Sequence, residues 1–79
     1  MIDQAFAKVL RRLRIQCGLS QEELGAEAGL HRTYVSQLER GLKSPSLRTV
    51  QRIAEALDIS VSELMSLVEQ EAALASGSN

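Results

Sequence analysis

The sequence is poor in the residues that cross-link a chain, coordinate metals or catalyse reactions. It has one cysteine, one histidine, one proline, one tyrosine, one phenylalanine and no tryptophan. Cys17 has no partner for an intramolecular disulfide, and neither Cys17 nor His31 belongs to a cluster with metal-ligand spacing. A glycine-rich phosphate loop and a nucleophile motif are also missing. We therefore expect no catalytic residues, no metal and no cofactor, and an enzyme is not expected.

Long uncharged runs are absent as well. No segment approaches the roughly 20 apolar residues of a membrane span, and the first residues show no basic region followed by an apolar block. We therefore expect a soluble, cytoplasmic protein with no membrane partner. With 79 residues, of which 44% are hydrophobic, the chain should form a single domain. We expect residues 1–74 to form this domain and the small, polar residues 75–79 to form a flexible tail.

Charge is unevenly distributed along the chain, although the net charge is only −1. Residues 1–52 hold all nine basic side chains against five acidic ones, whereas residues 53–79 hold five acidic side chains and no basic one. The two parts therefore carry net charges of +4 and −5. This distribution favours contact of the first part with a polyanion such as double-stranded DNA, with the acidic end pointing away from it.

Apolar residues recur at intervals of three and four and never alternate, which predicts an all-α domain of five helices. Gly18 should end the first helix, and Ser46 should cap the fourth. Ser60 with Glu63 forms a capping box that opens the fifth. The apolar positions predicted to face inward on the first, fourth and fifth helices are Phe6, Val9, Leu10, Leu13; Leu47, Val50, Ile53, Ala54, Leu57; and Val61, Leu64, Met65, Val68.

The second and third helices form a pair with a tight turn. Ser20 and Glu23 make a capping box that opens the second helix, which ends at Gly29. The third helix falls within residues 30–42, with Gly41 as its stop. Its apolar side is formed by Tyr34, Val35, Leu38 and Leu42, and its opposite side by Thr33, Ser36, Gln37 and Arg40. This layout is typical of a helix-turn-helix, in which the second helix is anchored on one side and offers polar groups to DNA on the other.

Sequence motifs extend this interpretation. The chain reads GLSQEEL at 18–24, AGL at 28–30, VSQLERG at 35–41, PSL at 45–47 and IAEAL at 53–57. Together these motifs resemble the phage repressor and Cro-like helix-turn-helix family, and the resemblance covers roughly residues 5–68. The short length and HRTYVS at 31–36 further resemble the controller proteins of restriction-modification systems. The resemblance implies a five-helix, lambda-repressor-like domain that acts as a sequence-specific transcriptional regulator.

The resemblance also implies which residues meet DNA. The recognition helix would run from about Arg32 to Arg40. Its base-contacting residues would be Arg32, Thr33, Ser36 and Gln37, whose side chains suit guanine, thymine and adenine edges. The candidates for phosphate contacts are Arg14, Gln21, Tyr34, Arg40, Lys43, Ser44 and Ser46. The Tyr34 ring is expected to pack inward with only its hydroxyl reaching out. The roles of His31, which stands where a capping Ser or Asp is frequent, and of Cys17 stay open.

A second copy of the chain is the expected partner for the surplus apolar surface of the fifth helix. The predicted interface consists of Ile59, Val61, Leu64, Leu67 and Val68. A domain of this size buries only about 60% of its unfolded surface, so a homodimer would also supply missing core. A two-fold dimer would read two half-sites about one DNA turn apart in a palindrome or pseudo-palindrome. A tighter monomer core remains an alternative, as does an antitoxin or adaptor whose main partner is another protein. RNA polymerase is a further candidate partner.

Overall fold

The computed structural model describes residues 2–77 and shows five α-helices with no strand within that range. The helices are α1 (Ile2–Gln16), α2 (Gln21–Ala28), α3 (Arg32–Glu39), α4 (Leu47–Ala56) and α5 (Val61–Ser76). This confirms the predicted all-α architecture. No helix in the described part of the chain is long and apolar enough to cross a membrane.

The helix boundaries follow from local chemistry. Ser20 and Ser60 each accept the backbone N–H of a glutamate three residues later, and each glutamate bonds back to the serine N–H, so both predicted capping boxes are present. Ser46 caps α4 by accepting the Thr49 N–H at 3.1 Å. Gly18 takes a φ of +72°, the left-handed conformation that ends α1. The starts of α2, α4 and α5 were therefore readable from the sequence.

The core lies where α1 packs along α5 and α3, and where α2 packs against α3 and α4. Eight large side chains are fully buried there: Val9, Leu10, Leu24, Val35, Leu38, Ile53, Leu64 and Val68. They come from all five helices, so each helix contributes part of its apolar face to one shared core.

Two leucines that the helical pattern placed inward are exposed instead. Leu42 lies after α3 has ended and is 61% exposed, while Leu47 is the first residue of α4 and is 87% exposed. Their neighbours in the pattern, Leu38 and Val50, are buried. Leu42 is exposed because it follows the end of α3, and Leu47 because it starts the first turn of α4, where the helix does not yet hold its side chain against the core.

The fifth helix runs two residues beyond the predicted end of the domain. It continues through Ser76, whereas the sequence placed the start of a tail at Ala75. The last two residues of that predicted tail, 78 and 79, lie outside the described residues.

Gly25 lets α2 approach the start of α3 closely. A Cβ at this position would lie 2.5 Å from the carbonyl oxygen of Leu30. The same short turn is tied by the N–H of Leu30, which donates to the Gly25 carbonyl at 2.7 Å, and Gly29 takes a φ of +71° between them. Backbone therefore packs on backbone where the two helices meet, and this fixes the direction in which α3 leaves the turn.

Candidate nucleic-acid interface

Helix α3 has one buried side and one open side. Val35 and Leu38 are buried in the core, while Arg32 and Thr33 are exposed and Ser36 and Gln37 are partly exposed. A shallow recess is lined by Gln21, Arg32, Thr33 and Ser36. The structure thus brings three of the four predicted base-contacting residues together, with Gln21 from the start of α2 beside them. Gln37 lies outside this recess.

Glu39, at the C-terminal end of α3, organises the helices beneath this surface. Its carboxylate accepts the Nε–H of Arg14 at 2.5 Å and a second guanidinium N–H of Arg14 at 3.0 Å. It also accepts the side-chain amide of Gln21 at 3.0 Å. One carboxylate therefore joins α1, α2 and α3. This role of Glu39 was missed from the sequence, where a glutamate on a helix resembles any solvated acid.

The surroundings of Arg14 do not favour its predicted contact with a phosphate. Its guanidinium also donates to the Leu19 carbonyl at 2.8 Å, and only 13% of its side-chain surface is exposed. The hydrogen-bonded Glu39 carboxylate raises the pKa of Arg14 above its ordinary value, since it favours the charged form. The structure therefore assigns Arg14 to an internal ion pair, with its charge directed inward at Glu39 and away from an outside phosphate.

Gln21 keeps a place on the outer surface while it is held from within. The side-chain NH₂ of glutamine has two hydrogens, and one is used by Glu39. The other hydrogen and the residue's position in the recess beside Arg32 leave it suited to a phosphate contact. Glu39 orients this side chain.

The segment after α3 carries four more of the predicted phosphate contacts. Arg40 and Lys43 are exposed. Ser44, in contrast, donates its hydroxyl to the Asp3 carboxylate at 2.7 Å, and Ser46 caps α4. These two hydroxyls bond within the domain and tie the segment to α1 and α4, while both residues are exposed, so their contact with phosphate stays a prediction.

Tyr34 behaves as predicted. It is partly buried, and its side chain packs against the hydrophobic core. Its ring therefore anchors the recognition helix. A hydroxyl reaching outward from it stays a prediction.

His31 supplies the cap of α3. Its ring Nδ1 accepts the backbone N–H of Thr33 at 3.0 Å, in the place where a Ser or Asp oxygen is usual. The sequence had left this residue without a role, because histidine is not among the residues favoured at this position. Its location directly before the first helical residue, Arg32, was the available signal.

The five predicted dimer residues lie in three different places. Leu64 and Val68 are fully buried in the core of one chain, so they have no surface to offer a partner, and their assignment to the interface is wrong. Ile59 and Leu67 line a groove on the outer side of α5 together with Ser62, Glu63 and Ser66. Val61 lies in a different groove, lined mainly by Ile2, Phe6, Leu47, Val50 and Met65.

Groups of three or more metal-binding side chains do not occur within residues 2–77, and Cys17 is exposed. The site consists of a short helix pair, a glycine turn and helix α3 with Arg, Thr and Ser on its open side. A DNA major groove accepts a single helix presented in this way. The fold and the site together define a DNA-binding domain of the helix-turn-helix class.

Comparison with known proteins agrees with this class. Residues 10–64 match the helix-turn-helix family model. The control protein C.BamHI from Bacillus amyloliquefaciens is 38% identical over 61 residues, which cover 76% of this chain and 75% of the relative. The crystal structure of the restriction-modification controller protein C.AhdI from Aeromonas hydrophila is 45% identical, with a TM-score of 0.76 over 78% of this chain and 94% of that one. The clp gene regulator ClgR from Corynebacterium glutamicum is 27% identical and superimposes with a TM-score of 0.91 over 98% of this chain and 82% of that one.

The chain belongs to the helix-turn-helix family of DNA-binding transcription regulators. The matched region begins inside α1 and ends in α5, so it contains the whole helix-turn-helix and α4.

Proposed function

We propose that this protein is a homodimeric transcriptional regulator that binds a palindromic or pseudo-palindromic operator and controls a restriction-modification operon. The observation that carries the DNA-binding part is the recess of Gln21, Arg32, Thr33 and Ser36 on the open side of an anchored helix. The identities of 38% and 45% to control proteins support the choice of operon. In this role the protein acts in the cytoplasm, without catalysis or a cofactor.

Within this proposal, the base edges are contacted by Arg32, Thr33, Ser36 and Gln37. Phosphates are contacted by Gln21, Arg40 and Lys43, which keep exposed or partly exposed side chains. The exposed basic residues of this face provide the attraction to the DNA backbone. The acidic side chains of α5 then lie away from the DNA.

The homodimer in this proposal uses the outer groove of α5, with Ile59 and Leu67 as its apolar contacts. Val61 adds to it only if the partner also reaches the second groove, beside Leu47. A two-fold dimer places two recognition helices in successive major grooves, about 34 Å apart. RNA polymerase is proposed as a further partner at promoters that the dimer activates.

Selection from a random duplex pool tests the function directly. The protein is incubated with the pool at roughly physiological salt, where non-specific binding is weakened, and the bound DNA is sequenced. We expect enrichment of an inverted repeat whose half-sites lie about one helical turn apart. If folded protein enriches no sequence, the regulator proposal fails and an antitoxin or adaptor with a protein partner replaces it. Enrichment of a single half-site would support sequence-specific DNA binding but contradict binding as a dimer.

A further inference from the structure

The hydrogen bond at the start of α3 fixes where the His31 ring carries its proton. Nδ1 accepts the Thr33 backbone N–H at 3.0 Å. An imidazole nitrogen can accept a hydrogen bond only when it has no proton of its own. With Nδ1 accepting, the proton of the ring is on Nε2, and Nε2 is a hydrogen-bond donor.

The Nε2–H group has no hydrogen-bond partner within residues 2–77. The His31 side chain is exposed. His31 lies directly before Arg32 and Thr33, which line the recess on the DNA-facing side. The N-terminal residues of a recognition helix are the ones that contact base edges in the major groove. The ring thus offers one oriented donor where base acceptors would lie.

We propose that His31 is a further DNA-contacting residue, whose Nδ1 caps the recognition helix while its Nε2–H donates to a base-edge acceptor. Purine N7, guanine O6 and thymine O4 are the acceptors available in the major groove. This inference rests on the proposed function, because it needs an operator. A ring whose Nδ1 accepts the Thr33 N–H adds a directional hydrogen bond without releasing a counterion, so it affects base preference and leaves the salt dependence unchanged.

Two variants separate the cap from the contact. In His31→Asn the side-chain oxygen still caps the helix, because Asn is among the favoured capping residues, but its short amide does not extend as far as the imidazole Nε2. In His31→Ala both roles are lost. We expect the Asn variant to unfold at the denaturant concentration of the wild type and to bind the selected operator about 3- to 10-fold more weakly. The Ala variant should lose both stability and affinity.

Base substitution in the selected operator locates the contact. We expect the Asn variant to lose discrimination at one base pair in each half-site and to keep the wild-type slope of affinity against salt. Long-range ¹H–¹⁵N NMR of the uniformly ¹⁵N-labelled protein should show His31 protonated on Nε2 both free and bound to DNA.

Several results would overturn the assignment. These are wild-type operator affinity in the Asn variant, an equal loss on every DNA sequence, or a ring protonated on Nδ1. Any of them, obtained while the wild type selects an operator, removes His31 from the base-contacting residues and leaves the regulator intact. If the wild type selects no DNA, both proposals fall together.

Discussion

Arg14 and Glu39 are 25 residues apart in sequence and form an ion pair that is almost closed to water. Their side chains are 13% and 3% exposed, and two N–H groups of the guanidinium donate to the two carboxylate oxygens. Because Glu39 also accepts from Gln21, this pair lies beside the recess proposed to contact DNA. One carboxylate therefore links α3 to both α1 and α2, in addition to the core packing.

Removing that carboxylate should destabilise the domain strongly. In Glu39→Ala the guanidinium of Arg14 stays largely buried without its partner, and we expect a loss of about 3 kcal/mol in the free energy of unfolding. Urea denaturation followed by circular dichroism measures it. The matched control is Glu71→Ala, which breaks the pair of Glu71 with the 46%-exposed Arg12 and should cost less than about 1 kcal/mol. Equal losses in the two variants would contradict the importance assigned to Glu39.

Contacts with DNA bases and contacts with DNA phosphates should be lost through different substitutions. Arg32→Ala removes a proposed base contact, and we expect it to lose about 1 to 3 kcal/mol on the operator and to relax preference at one base position. Lys43→Ala should weaken binding to all sequences alike and lower the slope of log affinity against log salt by about one. Fluorescence anisotropy on operator and random duplexes at several salt concentrations separates the two. If Arg32→Ala weakens both duplexes equally, Arg32 contacts a phosphate.

The dimer should respond to a charge on the outer groove of α5. In Leu67→Asp a carboxylate would have to be buried against the second copy, so we expect dissociation to monomers and, through it, weaker operator binding. Ile15→Asp is the control, because it places the same charge on an exposed residue of α1. Sedimentation velocity measures both, with circular dichroism confirming that each variant is folded.

The second apolar groove is the alternative site for the dimer interface. Val61 lies there, on another side of α5 from Leu67. If Val61→Asp gives monomers while Leu67→Asp sediments as the wild type does, the two copies meet beside Leu47 and not on the outer groove.

The capping box of α5 should make stability depend on pH in the acid range. The backbone N–H of Ser60 donates to the Glu63 carboxylate at 3.0 Å, and this hydrogen bonding to Ser60 lowers the pKa of Glu63 below its ordinary value. A carboxyl whose pKa is lower in the folded state stabilises the fold above its unfolded pKa, and this contribution is lost as the pH falls through the folded pKa. We expect Glu63→Gln to be less stable than the wild type at neutral pH, with the gap closing in acid.

Thermal unfolding of both proteins across that pH range measures the gap. A difference that stayed constant from neutral pH to below the carboxyl range would show that the charge of Glu63 plays no part in the cap. Ser60→Ala, which removes the acceptor of the Glu63 N–H, should be destabilised at every pH because a hydroxyl does not titrate there.

Much of the fold could be predicted from the sequence because its signals are local. Capping boxes join residues three apart, glycines with positive φ end helices, and apolar residues repeat every three or four positions. The helix-turn-helix is itself a local unit, with α2, the turn and α3 in sequence. Its inner and outer sides follow from helical geometry alone, so Val35 and Leu38 were correctly placed inward, with Thr33 and Arg40 outward.

Only the tertiary structure decided which polar and apolar groups are used inside the domain. Arg14 meets Glu39 across 25 residues and Ser44 meets Asp3 across 41, and nothing in either local sequence marks the partner. Leu64 is buried and Leu47 is exposed because the packing of the whole bundle sets how far each apolar stripe is covered. Sequence thus determined the helices and the identity of the recognition helix, since these depend on neighbours along the chain. Three-dimensional packing determined which candidate side chains remain free to reach DNA, since that depends on neighbours in space.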